Sequence, residues 1–246
     1  MVTAATLIFC LGALLSAGAG IFLLINLGDR REARTLSRVR PTAIGELAGP
    51  GRVAVEGVTE HGPAGPVVGP LSGEECVWYR VRLEREPSRA DDSGHDLLLD
   101  TMSPGRPALA DGTGRLPVDP RLVYRPDRAE AAPTIETTVA HRRSAAVTLP
   151  PVVPREVIDG LGRNEVLRLT EIRLPRGREV FALGRLTPDG LAPNRIGLSV
   201  FTTTRHADVL AARREDVALG GKLVIGAAAI GLLLAAGSTS LLYALG

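Results

Sequence analysis

The sequence predicts a mainly β protein: a small, partly closed β-barrel or sandwich-like soluble domain flanked by two transmembrane α-helices. Three observations predict it. Residues 2–28 and 223–245 contain no charged side chain, and about 20 uncharged apolar residues in a helix cross a bilayer. Between them, apolar and polar residues alternate with the period of two that marks a strand, as at Val77, Tyr79, Val81 and Leu83 against Trp78, Arg80, Arg82 and Glu84. Glycine and proline are frequent, 28 and 18 of 246 residues, which favours short strands and turns over long helices.

The resulting organisation is a first membrane helix at 1–28, a juxtamembrane helix and linker at 29–44, a β-rich domain at 45–205, a juxtamembrane helix at 206–222 and a second membrane helix at 223–246. A cleaved signal peptide would need a basic leader, and the apolar run resumes with Ile21–Leu27 after the small residues, so a retained anchor is expected. Arg30, Arg31, Arg34, Arg38 and Arg40 follow the first span; Arg213, Arg214 and Lys222 precede the second. This bias puts both termini outside and the central domain in the cytoplasm. The near absence of lysine reads as the mark of a GC-rich genome, and the location expected is a bacterial plasma membrane. Gly12, Ser16 and Gly20, and Ala227, Gly231, Ala235 and Thr239, recur every fourth residue. Such stripes let helices approach closely, within the chain or between copies in a homo-oligomer.

In the central region, Asp29–Arg40 continues the first helix until Pro41, and residues 42–49 form a short helical turn. Strands are expected at Arg52–Thr59, Val77–Glu84, Leu97–Thr101, Arg115–Val118, Leu122–Tyr124, Ile135–Val139 and Ile196–Thr203. Residues 86–96 read as a polar loop. Val166–Leu174 and Glu179–Thr187 read as a hairpin through Pro175-Arg176-Gly177, and Asp111-Gly112 as a tight turn. Residues 154–162 suggest one or two helical turns ending at Gly160 or Gly162. The stretches 51–59 and 179–187 share an apolar alternation running into Gly57 and Gly184, where a bulge or barrel corner is expected.

Composition excludes several functions. Basic and acidic residues balance, 29 against 27, and aromatics are 3%, so neither the basic field nor the stacking platform of a nucleic-acid binder is present. Two cysteines, Cys10 and Cys76, exclude a disulfide framework and a four-thiolate zinc site. His61, His95, His141 and His206 stand apart with no metal-ligand spacing. No cofactor, metal site or catalytic motif is expected. Cys76 is the best candidate for reactivity, yet Glu74 and Glu75 beside it would raise its pKa, and a buried structural thiol is favoured. Glu171 and Asp111 form the alternative, enzymatic reading, in which the β domain holds an unrecognised site. Trp78 reads as core, with anchoring of a partner as the alternative.

Four stretches in order, 51–57 (GRVAVEG), 69–84 (GPLSGEECVWYRVRLE), 111–120 (DGTGRLPVDP) and 169–186 (LTEIRLPRGREVFALGRL), resemble the GIDE domain of MULAN-type mitochondrial ubiquitin ligases over about residues 45–205, and the flanking spans match its layout. The resemblance implies a domain beside a membrane that engages a protein partner, with Gly57, Pro70, Leu71, Cys76, Trp78, Tyr79, Asp111, Gly114, Glu171, Gly177 and Gly184 as motif positions of structural or partner-binding weight. In that family the ligase chemistry belongs to a separate RING, which needs about eight Cys and His ligands. The chain is expected to be a RING-less prokaryotic member. The function expected is that of a membrane-anchored, non-catalytic interaction or scaffold module, with the lipid bilayer and an unidentified protein as partners.

Overall fold

The computed structural model describes residues 2–86, 96–124, 131–144 and 148–245. They form two compact units: residues 1–39 with 206–246, and residues 40–205.

The first unit is a pair of helices, α1 (Val2–Arg38) and α4 (His206–Leu245). Both are long and apolar enough to cross a membrane. The helix of Asp29–Arg38 continues α1 without a break, as expected. Contacts run antiparallel. A Cβ on Gly12 would stand 2.7 Å from Ala235 N and Gly231 O, Asn26 Nδ2 donates to Val217 O at 3.1 Å, and His206 Nε2 lies 3.0 Å from Leu36 O. Gly12, Ser16, Gly231 and Ala235 of the two stripes therefore meet within one chain, where absent side chains bring the backbones together.

The second unit is β-rich. Its strands are β1 (Gly51–Glu60), β2 (Val67–Val68), β3 (Glu75–Cys76), β4 (Trp78–Glu86), β5 (Asp96–Met102), β6 (Ala108–Ala110), β7 (Arg115–Pro117), β8 (Ile135–Arg142), β9 (Val166–Leu174), β10 (Glu179–Thr187), β11 (Gly190–Ala192) and β12 (Val200–Thr202). A six-stranded sheet runs β11-β10-β1-β6-β7, with β12 also on β10; a four-stranded sheet runs β5-β4-β9-β8; β2 and β3 pair separately. Among the described residues none of the three sheets closes on itself, and the outer strands of the six-stranded sheet meet only at the single parallel bridge Val118–Leu191, so the structure does not support the barrel of the expected barrel or sandwich-like domain.

The expected 166–187 hairpin is also corrected. β9 pairs with β4 and β8, whereas β10 pairs with β1, β11 and β12. The connection is tight, and Gly177 takes the left-handed φ of 79° that its turn needs. Its hydrogen bonds, however, go to β1. Thr59 N donates to Arg178 O and Gly177 N to Thr59 O, both at 2.9 Å. The Thr59 hydroxyl donates to Pro175 O at 2.7 Å and accepts from Arg178 N at 2.9 Å. Thr59 is fully buried. Its four bonds turn what would be a hairpin into a crossover between sheets.

Leu122–Tyr124 lies in a helix, α2 (Pro120–Tyr124), not a strand. Asp119 accepts from Arg121 N through its side chain and from Leu122 N through its backbone, both at 2.9 Å. An aspartate cap followed by proline starts a helix and overrides the strand preference of Leu-Val-Tyr. Residues 154–162 hold α3 (Arg155–Asp159), whose C-cap is Gly160. Gly57 and Gly184 mark no bulge: β1 and β10 stay in register there, opposite Val180 and Val53. Each instead lets a neighbouring carbonyl approach, since a Cβ would stand 2.9 Å from Ala110 O at Gly57 and 2.6 Å from Ala192 O at Gly184. The bulge falls between Leu83 and Glu84.

Among the described residues, two apolar clusters lie in the unit. One gathers Val55, Leu109, Val118, Leu122, Val180, Ala182, Leu191 and Phe201 with Val77, Trp78 and Leu174. The other sets Val81, Leu83, Leu167 and Leu169 against Val153 and Leu161. β4 thus feeds one cluster from each face. The alternation breaks at its start, because Cys76 belongs to β3, paired with Val67, and Val77 turns into the same cluster as Trp78.

Candidate functional site

The expected functional positions fall in three places on the β unit. The first is around Glu171 on β9. Its register partner on β4 is Val81, so the carboxylate points into the face lined by Leu169 and Leu83. It is fully buried. Oε2 accepts from Leu71 N at 2.6 Å and Ser72 N at 3.4 Å, which ties the 69–74 loop, with Pro70 and Leu71, onto the sheet. Gly69 has no room for a side chain: a Cβ would stand 2.6 Å from Glu171 Oε1. Cys76 is buried nearby, and burial first, then the Glu171 charge, push its thiol pKa up. A thiol held protonated this way is a poor nucleophile.

The second place is the Trp78 stack. Trp78 is fully buried and stacks on Tyr124 with centroids 6.1 Å apart and planes 11° from parallel. The Arg80 guanidinium lies 4.2 Å from the Tyr124 centroid and forks onto Asp100 at 2.7 and 2.5 Å. Trp78 is core, as favoured. Tyr79, half-buried, faces the opposite side, with Arg173 across from it. Arg173 itself pairs with Glu74.

The third place is a cleft of about 480 Å³ on the six-stranded sheet. Its floor spans three adjacent strands: Val58 pairs with Ala110 of β6 on one side and Glu179 of β10 on the other, and Glu56 is opposite Phe181. Gly112 of the β6–β7 turn and Thr203 and Arg205 after β12 complete the wall. Val58, 39% exposed, gives the floor its accessible apolar surface, with Phe181 buried beside it, inside a rim of Glu56, Glu179 and Arg205. Gly57 and Asp111 belong to this place. Asp111, however, is fully engaged. Oδ1 accepts from the Thr113 hydroxyl at 2.6 Å, Thr113 N at 2.9 Å and Gly114 N at 3.2 Å, and Oδ2 from Ile44 N at 2.6 Å. These bonds, the Thr113 hydroxyl first, lower its pKa to about 2. Gly114 packs against Ile44, where a Cβ would stand 3.2 Å from a methyl.

Asp111 and Glu171 therefore sit in different sheets, each bonded to backbone N–H groups, and the structure does not bring them together as a catalytic pair. Among the described residues no group of three or more His, Cys, Asp and Glu is placed to hold a metal ion. His61 Nε2 lies 3.2 Å from Glu75 Oε1; His95 lies outside the described residues. Val58, Glu179, Phe181 and Arg205 were not marked by the sequence. They come from stretches far apart in the chain, and only the strand pairing joins them.

The class that fold and site define is a β-rich unit with an open, partly apolar cleft, joined to two helices fit to cross a membrane. No family model, curated protein or solved structure matches the chain.

Proposed function

We propose that the protein is a membrane-anchored, non-catalytic interaction module whose partner docks in the cleft over Val58 and Phe181. The observation that carries this reading is the division of labour in the β unit. Cys76, Glu171 and Asp111 are committed to holding the fold, whereas the cleft presents apolar surface and a charged rim with an exposed Arg205–Glu179 pair at 4.0 Å. Exposed pairs of this kind contribute little to stability and are free to be exchanged for a partner's charges. The resemblance to the GIDE domain supports the same role, a partner-binding domain beside a membrane without ligase chemistry of its own. The arginines flanking both spans on the β-unit side favour both termini outside and the β unit in the cytoplasm, and the near absence of lysine favours a bacterial plasma membrane.

Photo-crosslinking in the native membrane tests the docking surface. A crosslinking residue at Val58 or Glu179 is expected to trap one discrete partner, and the same residue at exposed Arg142 none. Trapping of the same species from all three positions, or from Arg142 alone, would refute the cleft as the docking site.

A further inference from the structure

The helix pair holds a second recess of about 240 Å³, lined by Arg30, Ala33, Arg34 and Ser37 of α1 and by Arg214 and Val217 of α4. We propose that this recess binds the phosphate of an anionic phospholipid headgroup, at the level where the apolar spans end. The inference rests on the membrane-spanning reading of α1 and α4 and goes beyond it.

Spacing builds the recess. Residues 30, 33, 34 and 37 follow the i, i+3, i+4, i+7 rule of one helix face, and 214 and 217 share a face of the other helix. Ala33 and Val217 contribute short side chains to the lining beside the three arginines. Asp29, Glu32, Glu215 and Asp216 lie on neighbouring faces and none lines the recess.

In the β unit Arg80, Arg85, Arg121, Arg168, Arg173 and Arg176 each pair with a carboxylate, while others, among the described residues, stand alone and scattered; in the recess three arginines are gathered together. Arg30, Arg34 and Arg214 are exposed and, among the described residues, none has an acidic partner at ion-pair distance. Like charges at i, i+4 repel along a helix, as Arg30 and Arg34 do here. An anion between them reverses the sign of that interaction, and the guanidinium fork fits phosphate oxygens two at a time.

The level of the recess selects a lipid. A Cβ on Gly221 would stand 3.3 Å from Arg30 Nη2. Gly221 adjoins Lys222, the last charged residue before the uncharged stretch of α4. Arg30 therefore reaches back along its helix toward the apolar span. The recess thus lies where the charged end of the helix pair meets the uncharged spans, near the depth of a headgroup phosphate.

The test uses the full chain reconstituted into phosphatidylcholine vesicles with or without phosphatidylglycerol. Flotation reports insertion, and native mass spectrometry of the released protein reports retained lipid. Wild type is expected to float with both compositions and to retain phosphatidylglycerol selectively. Each guanidinium near an anionic surface is worth about fivefold, so Arg30→Gln/Arg34→Gln/Arg214→Gln is expected to lower retention by about two orders of magnitude. Arg31→Gln/Arg38→Gln/Lys222→Gln removes the same charge from the exposed surface of the same two helices outside the recess and is expected to lower it by no more than about fivefold. Equal losses in the two variants would overturn the site in favour of diffuse attraction. Displacement of the lipid by inorganic phosphate at equal concentration would overturn the lipid assignment. Flotation without selective retention would overturn the site and leave the spans intact; no flotation with either lipid would overturn both. The lysine triple variant, which keeps charge and loses the fork, guards against misfolding of the glutamine variant. It is expected to retain less lipid than wild type, and full retention would overturn fork recognition.

Discussion

Thr59→Val tests the crossover that separates the two sheets. Valine has the shape of threonine, so packing is preserved and only the hydroxyl is lost. That hydroxyl makes two bonds, to Pro175 O at 2.7 Å and from Arg178 N at 2.9 Å, and Thr59 is fully buried. Leaving a buried donor or acceptor unpaired costs about 1–3 kcal/mol each. Here Pro175 is half-buried and Arg178 exposed, so water compensates part of the loss. The expected destabilisation is about 1–3 kcal/mol in total. Trp78 is the only tryptophan, is fully buried, and pairs with Leu174 at the start of the crossover. Its fluorescence during urea unfolding of the detergent-solubilised chain therefore reports this unit alone. Thr138→Val is the control: its exposed hydroxyl shares a 3.2 Å bond with Thr170, and water replaces it at a cost within about 0.5 kcal/mol. A Thr59→Val loss no larger than the control's would refute the clamp and reopen the hairpin.

Two further outcomes follow from the titrating groups. In a Cys10→Ala background, Cys76 is expected to resist thiol reagents at neutral pH until the β unit unfolds, because burial raises its pKa; rapid labelling of native protein would contradict this. The Asp111 pKa falls from 3.8 to about 2 on folding, so its carboxylate stabilises the fold above pH 3.8, and that contribution disappears as the pH drops toward 2. Asp111→Asn is therefore expected to unfold more easily than wild type at neutral pH, with the gap closing over that acid window; a gap that stays constant would contradict the assignment.

The sequence made the strands of β1, β4, β9 and β10 legible because a half-buried strand leaves a period of two in the residue types. Their pairing was less legible. Pro175-Arg176-Gly177 carries hairpin chemistry, and nothing in the sequence signals that Thr59, more than 100 positions away, would claim the turn's hydrogen bonds. Leu122-Val123-Tyr124 was misread because local strand preference was weighed without the Asp119-Pro120 cap. For the site, Gly57 and Asp111 stood out as turn and strand punctuation. Phe181 and Val58 look like ordinary strand residues, and only the register of β1 between β6 and β10 turns them into the floor of a cleft. The small-residue stripes showed that close helix contact was encoded, and the structure supplied the partner, which is the other helix of the same chain.

The measurement that bears most directly on a membrane-tethered β unit is its topology. A reporter active only outside the cytoplasm would be fused after Gly246 in one version and inserted between Arg85 and Asp96 in another. Activity at Gly246 with silence at the internal site is the result expected from the arginines that flank both spans. The reverse pattern would contradict it, placing the cleft on the outer face and its partner among envelope or exported molecules.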